Sequence, residues 1–131
     1  MGADFAYMGT RFINVTESNA SEDYKQMIIQ SSAEDIVYTA AVSGVHGSFL
    51  KPSLEAMGIT EDQWKKSKKI DFGSELDAAK AEAQAWKTIW SAGQGVTSIK
   101  DVQTTNSLVL ELKKEFESSI QDQLELLEIF K

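Results

Sequence analysis

The first residues of the chain carry an unbroken apolar run that ends in a glycine and a threonine: Asp4-Phe5-Ala6-Tyr7-Met8-Gly9-Thr10-Arg11-Phe12. Four consecutive apolar residues, from Phe5 to Met8, are typical of a short strand that is buried on both faces. Such strands belong to parallel sheets covered by helices, and most of the chain after Thr10 is predicted to be helical. We therefore predict a strand at residues 4–9 in an α/β protein.

The residues that end this strand are suited to an anion. Gly9 has no Cβ, so an anion can come close to the backbone there, and Thr10 adds a hydroxyl donor. The N–H groups of Gly9 and Thr10, together with the Thr10 side chain, would make half of a phosphate site. The same pattern is also typical of a strand that simply ends in a turn, and the pattern by itself leaves both interpretations open.

Composition excludes several classes of function. The 131 residues carry a net charge of −7, which argues against nucleic acid as a partner, because phosphate contacts need clustered Lys and Arg. The chain has no cysteine, so disulfides and thiolate chemistry are excluded. Without an apolar run of roughly 20 residues or a secretory pattern, we expect no membrane partner and a cytoplasmic location. We also expect no metal site from one histidine and scattered carboxylates.

Local signals divide the first half of the chain into short elements. Ser21 is predicted to cap a helix at residues 22–30, with two acids in its first turn. Residues 36–42 are rich in β-branched and aromatic side chains and are predicted to be extended, with the segment 5–8 as a candidate partner. A helix over residues 49–57 is predicted to end at Gly58.

Three further helices are predicted in the second half. A capping box from Thr60 to Gln63 begins a brief helix that carries Trp64. Ser74 is predicted to cap a helix that reaches Trp90, with two tryptophans and several alanines on one stripe. The last helix is predicted at about residues 104–129, with a continuous apolar stripe.

Two glycines interrupt the predicted helix after Trp90, in the loop Ser91-Ala92-Gly93-Gln94-Gly95. The hydroxyl of Ser91 and the amide of Gln94 could bond a polar ring edge or an oxyanion. The alternative is a plain helix stop, with Gly93 as the terminating glycine.

Other polar residues have structural explanations. Arg11 could neutralise a phosphate or pair with an acid such as Glu17, and the alternation of side chains along an extended chain favours the ion pair. His46 lies in a glycine-flanked loop without a neighbouring acid to orient it, so we assign it no catalytic role. The paired carboxylates at helix starts are explained by capping and by the helix dipole.

Several stretches, in order along the chain, resemble one flavin enzyme family. They are Tyr7-Met8-Gly9-Thr10-Arg11-Phe12, Glu17-Ser18-Asn19-Ala20, Tyr24-Lys25, Val42-Ser43-Gly44, Phe49-Leu50-Lys51-Pro52-Ser53, Ala85-Trp86-Lys87 and Trp90-Ser91-Ala92-Gly93-Gln94-Gly95-Val96. The family is the FMN-dependent nitronate monooxygenases, also called 2-nitropropane dioxygenases. The resemblance spans nearly the whole chain but only the final portion of the family's chain.

The resemblance implies a carboxyl-terminal fragment of an FMN-binding (β/α)8 TIM barrel, because a whole barrel needs about 250 residues. The piece would be one partial domain, residues 1–131, mostly helical with one or two short strands. Its parts would be the last barrel strand (4–9), a helical extension (21–90), a flavin-side loop (91–98) and a terminal helix (104–129). The resemblance implies that FMN contacts Tyr7, Met8, Gly9 and Thr10, and also Ser91 and Gln94.

The activity implied by the resemblance is oxidation of a small alkyl nitronate by dioxygen through FMN. The family's catalytic histidine belongs to an earlier strand that this chain lacks, so we assign no catalytic residue. One alternative is reduction of an enoyl thioester or a quinone with NAD(P)H in the same class of flavin barrel. Another is a truncated, catalytically inactive helical protein that self-associates as a homo-oligomer.

Overall fold

The computed structural model describes residues 4–66 and 87–130. In chain order its main elements are α1 (Glu22–Gln30), β1 (Ile36–Thr39), β2 (Gly47–Leu50), α2 (Lys51–Ala56), α3 (Glu61–Lys65) and α4 (Thr105–Ile129). Short 3-10 helices lie at Thr10–Asn14, Ala33–Asp35 and Gln94–Ser98. The described part is therefore mostly helical with one two-stranded sheet, and none of its helices is long and apolar enough to cross a membrane.

The capping signals at Ser21 and Thr60 are confirmed, whereas the one at Ser74 lies outside the described residues. The Ser21 hydroxyl accepts a hydrogen bond from the Tyr24 N–H, and α1 begins at the next residue. Thr60 and Gln63 form the expected capping box, and Trp64 is buried. Gly58 follows α2 with a φ of +73°, a conformation that favours glycine. The Thr104 hydroxyl accepts from the Ser107 N–H and opens α4 where it was predicted.

The predicted strand at residues 4–9 is absent, and the prediction of its burial is wrong. Phe5 is 94% exposed and Tyr7 is fully exposed, and the segment forms no strand. A strand of a parallel sheet takes its backbone hydrogen bonds from neighbouring strands, and no described residue pairs with this segment. The predicted pairing of residues 36–42 with residues 5–8 is wrong for the same reason.

The extended segment instead pairs within a local hairpin. β1 and β2 are antiparallel, with Ile36 opposite Leu50 and Thr39 opposite Gly47. The helix predicted to begin at residue 49 therefore begins at Lys51, because Phe49 and Leu50 lie in the strand. Pro52 falls in the first turn of α2, where proline is tolerated.

Two apolar clusters form the core, one on each side of β2. Neighbouring residues of a strand point to opposite faces, so Phe49 and Leu50 enter different clusters. Phe49 packs with Ala41, Val42, Leu54, Ile59, Trp64 and Ile89, whereas Leu50 packs with Ile28, Ala92, Val96 and Ile99. Residues 90–92 run alongside β2: the Leu50 N–H donates to the Trp90 carbonyl at 2.8 Å. Trp90 is thus outside any helix; of the helix predicted from Ser74, residues 87 and 88 are helical and residues 74–86 lie outside the described residues.

The first turns of α4 are attached to the segment that follows residues 10–14. Thr16 donates its N–H to the Gln103 carbonyl at 2.9 Å, and both oxygens of Glu17 accept from the Thr105 N–H. These bonds from Thr105 are the main cause that lowers the pKa of Glu17. Lys25 is buried and donates to the carbonyls of Val15 and Ser18, which fixes the turn between them.

The packing of α4 gives a direct test of the fold. Leu108 is 1% exposed, whereas Leu110 on the same helix is 58% exposed. We expect Leu108→Ala to lower the free energy of unfolding by roughly 2–5 kcal/mol, the usual cost of such a cavity. Leu110→Ala is the matched control and should change it by no more than about 0.5 kcal/mol. Urea unfolding followed by circular dichroism measures both, and equal effects would contradict the observed orientation of α4.

Candidate functional site

A cavity of about 290 Å³ lies where the start of the chain meets the loop after Trp90 and the first half of α4. One wall consists of residues 7–11, and a second consists of Gly93, Gly95 and Ser98. Leu112 and Glu115 of α4 complete the lining. We call these the N-terminal wall, the glycine-loop wall and the helix wall. Four residues predicted to contact FMN, Tyr7, Met8, Gly9 and Thr10, are therefore in one cavity lining.

The backbone at Gly9 is open to the cavity. A Cβ built on Gly9 would meet nothing within 4 Å, and Gly9 itself is exposed. The Gly9 carbonyl accepts from the Phe12 N–H at 3.0 Å, which closes the first turn of the 3-10 helix that follows. The main chain is thereby held in place, while the space that a side chain would occupy is left for a ligand.

Thr10 connects the first two walls. Its Oγ1 accepts a hydrogen bond from the Gly93 N–H at 2.9 Å, across 83 positions of sequence. A hydroxyl can accept and donate at the same time, so the Thr10 O–H is still available as a donor. The prediction that Thr10 offers its hydroxyl to an anion remains a prediction, and the structure adds that the same oxygen orders the glycine loop.

Arg11 makes an ion pair, as its position in the sequence favoured, but with a different acid. Its Nη2 lies 2.9 Å from Glu111 Oε1, and its Nη1 donates to the Ser98 carbonyl at 3.0 Å. The suggested partner, Glu17, caps α4 instead. The partner could not be found from local sequence, because it lies 100 residues away on a helix whose packing decides the contact.

Ser91 and Gln94 lie outside this cavity lining. Ser91 forms a bridge with Phe49 of β2, and its carbonyl accepts from the Tyr24 hydroxyl. Both Ser91 and Gln94 are exposed. The loop contributes its two glycines and Ser98 instead. The argument that singled out Gly9, that glycine exposes its backbone, applies equally to Gly93 and Gly95, and it could have identified them. Leu112 and Glu115 had no such local signal.

The cavity lining contains one carboxylate, Glu115, and two aromatic pairs lie outside the lining. The rings of Tyr24 and Trp90 stack with centroids 5.0 Å apart, and burial raises the pKa of the Tyr24 hydroxyl. Glu115 brings a negative charge to the helix wall, which opposes an anion in the cavity. His46 is exposed and stacks on Tyr38. In residues 4–66 and 87–130, no group of His, Cys, Asp and Glu could hold a metal ion.

Comparison with known proteins gives matches along most of this chain. A nitronate monooxygenase from Paraburkholderia phytofirmans is 28% identical over 125 residues, which cover 92% of this chain and 34% of that protein. Two structures of FabK from Thermotoga maritima match with TM-scores of 0.63, for the M276A mutant, and 0.59. They are 24% and 23% identical and cover 93% and 88% of this chain, but 36% and 38% of theirs.

The structural matches show the fold, and the match to a family sequence model shows the family. The FabK structures have the same fold over the matched third of their chains, so the observed arrangement is part of a larger protein fold in those relatives. The chain also spans about a third of the length of the curated relative. The sequence model of the nitronate monooxygenase family matches residues 1–115, which is most of the chain. The chain therefore belongs to the nitronate monooxygenase family.

Proposed function

We propose that this chain is the carboxyl-terminal portion of an FMN-dependent oxidoreductase of the nitronate monooxygenase type, built on a (β/α)8 barrel. The observation that carries the proposal is the cavity in which the exposed Gly9 backbone faces a second glycine-containing loop. Membership of the family supports the flavin chemistry, and the position of the cavity supports a role in holding the cofactor.

The residues fit the phosphate end of FMN better than the flavin ring. Phosphate oxygens are bound by backbone N–H groups and hydroxyls, and the N-terminal wall offers both at Gly9 and Thr10. A volume of about 290 Å³ is at the small end of the range of ligand pockets. It suits the phosphate and part of the ribityl chain, with the ring on the barrel portion of the complete enzyme. Ser91 and Gln94, which are exposed residues of the loop 91–95, are proposed to face the cofactor from outside the cavity lining.

The chemistry in this proposal belongs to the flavin, which when bound accepts electrons from an alkyl nitronate and passes them to dioxygen. The residues of this chain bind and orient the cofactor. Gly9 allows close approach, Thr10 donates a hydrogen bond, and the glycine loop forms the opposite wall. Reduction of an enoyl thioester or a quinone with NAD(P)H would use the same cofactor site. Oxygen uptake on addition of a nitronate is expected for nitronate oxidation and not for this reduction.

A second candidate function is self-association of a catalytically inactive helical protein. From Phe116 onward, α4 exposes large apolar side chains, including Phe116 at 67%, Leu124 at 52% and Leu127 at 58%. Such a stripe on a described helix favours a packing partner. Self-association as the function requires a stable oligomer, and it requires that no longer form of the protein binds flavin. Analytical ultracentrifugation tests for the oligomer and so separates this candidate from the cofactor site.

The first test compares the isolated chain with a completed barrel. We expect the isolated chain to purify colourless and to bind FMN weakly or not at all, because the walls described above enclose only the phosphate end. The second protein is a fusion in which this chain follows the portion of the Paraburkholderia relative that precedes the match. We call this fusion the joined protein, and we expect it to bind one FMN per polypeptide. The visible absorbance of the flavin, compared with the absorbance of the protein, measures occupancy. A colourless joined protein that is folded would contradict the proposal.

A second test addresses Gly9 directly in the joined protein. Gly9→Asp should weaken FMN binding by roughly 100-fold or more, because a like charge beside the phosphate costs several kcal/mol. Gly9→Ala adds bulk without charge and should have a smaller effect. Neither change should disturb folding, since a Cβ at Gly9 meets nothing within 4 Å.

Val45→Asp is the control for Gly9→Asp, because it adds the same charge at a side chain that is 72% exposed and outside the cavity lining. Fluorescence quenching of FMN measures all three affinities, and thermal unfolding confirms the folded state of each variant. If Gly9→Asp and Val45→Asp bind FMN with the same affinity, Gly9 is not at the phosphate.

A further inference from the structure

Arg11 is the only arginine in the chain, and its side chain lies between the walls of the cavity. The side chain is 12% exposed. Its two terminal nitrogens have different partners: Nη1 donates to the Ser98 carbonyl at 3.0 Å, and Nη2 bonds Glu111 Oε1 at 2.9 Å. One side chain thus joins the N-terminal wall, the end of the glycine loop and α4.

The contacts of Arg11 complement the hydrogen bond between Thr10 and Gly93. Gly93 begins the glycine-loop wall and Ser98 ends it, so consecutive residues of the N-terminal wall hold the two ends of the opposite wall. The loop between them forms a 3-10 helix, Gln94–Ser98, whose Val96 is buried in the core. The distance between the two walls therefore depends on two cross-links, one neutral and one charged.

Glu111 holds Arg11 in this pose. Its side chain is 41% exposed, so the pair itself contributes little to global stability. Its second oxygen accepts from the Gln103 side chain, which fixes the carboxylate between two donors. A guanidinium presents several N–H groups in a rigid fork, so it can bond Ser98 and Glu111 at once, whereas a lysine carries its charge on a single nitrogen.

We propose that Arg11 is a positioning residue that sets the separation of the two walls, with Glu111 fixing its orientation. The purpose of this separation rests on the proposed function, since the cavity between the walls is the proposed phosphate site. The cross-link itself is a property of the flavin-free chain, so its test does not require flavin to bind.

The test measures amide hydrogen exchange by NMR in the full chain without cofactor. Glu111→Gln keeps the shape of the side chain and removes its charge, and Glu117→Gln is the control on an exposed position of the same helix. The Gly93 amide reports the distance between the walls, through its bond to Thr10. The Leu50 amide, bonded to Trp90 at 2.8 Å, reports the core. We expect Glu111→Gln to speed amide exchange at Gly93 by about two- to tenfold, which corresponds to the loss of one net hydrogen bond. The exchange rate at Leu50 should not change.

Signals from the Arg11 side chain give a second readout, and they are unambiguous because no other arginine is present. In the wild type and in Glu117→Gln, the Nη protons should give separate signals because the guanidinium is held in one orientation. In Glu111→Gln, the guanidinium should rotate and the signals should average. Arg11→Met should speed exchange at Gly93 at least as much as Glu111→Gln does, and Arg11→Lys should restore it in part.

Two outcomes would overturn the proposal. Unchanged exchange at Gly93 in Glu111→Gln would mean that the ion pair only attaches α4. Equal acceleration at Gly93 and Leu50 would mean that the substitution loosens the whole core. Failure of FMN to bind in the joined protein would contradict the proposed function and leave this result unaffected.

Discussion

The hydrogen bond from the Gly93 N–H to Thr10 Oγ1 is the interaction on which the arrangement of the cavity depends. It joins the first residues of the chain to a loop 83 positions later, and both of its residues line the cavity. Among the described residues, the other side-chain hydrogen bond between the N-terminal wall and the glycine-loop wall is the one from Arg11 to the Ser98 carbonyl. A threonine at this position thus orders the site, in addition to its proposed role as a donor to a ligand.

The core explains why the glycine loop stands where it does. Phe49 and Leu50 enter separate apolar clusters on the two faces of β2, and residues 90–92 are bonded along the edge of that strand. The loop that leaves this edge is then fixed again by the buried Val96 and Ile99. The glycines at 93 and 95 lie between these two attachments, where their backbone can face the cavity without loss of core packing.

Signals that act over a few residues were sufficient to predict much of the fold. Ser21 and Thr104 cap their helices through a side-chain oxygen that accepts from the N–H three residues ahead. Thr60 pairs with Gln63 in a capping box, and its N–H donates to Gln63 Oε1. None of these contacts requires a distant partner. The same reasoning failed for the strand expected at residues 4–9, since an apolar run becomes a strand only where neighbours supply hydrogen bonds. The partner of β1 was likewise decided by the hairpin and not by the apolar character of residues 5–8.

Some features of the site could also be predicted from local sequence, whereas others depend on contacts between distant residues. The open backbone of Gly9 follows from the residue type, and it is observed. Arg11 was expected to pair with a nearby acid, but the acid that satisfies it is on α4, and the sequence gives no local sign of a contact across 100 positions. Family membership supports FMN as the cofactor of the whole enzyme, while the cavity supports a specific place for its phosphate.

The most direct measurement is a crystal structure of the barrel-completed protein with FMN. The central claim is that the phosphate occupies the cavity between Gly9 and the glycine loop. It predicts a phosphate oxygen about 2.7–3.2 Å from the backbone nitrogen of Gly9 or Thr10. A structure in which the phosphate is held by other elements, with the Gly9 cavity empty beside it, would contradict the account.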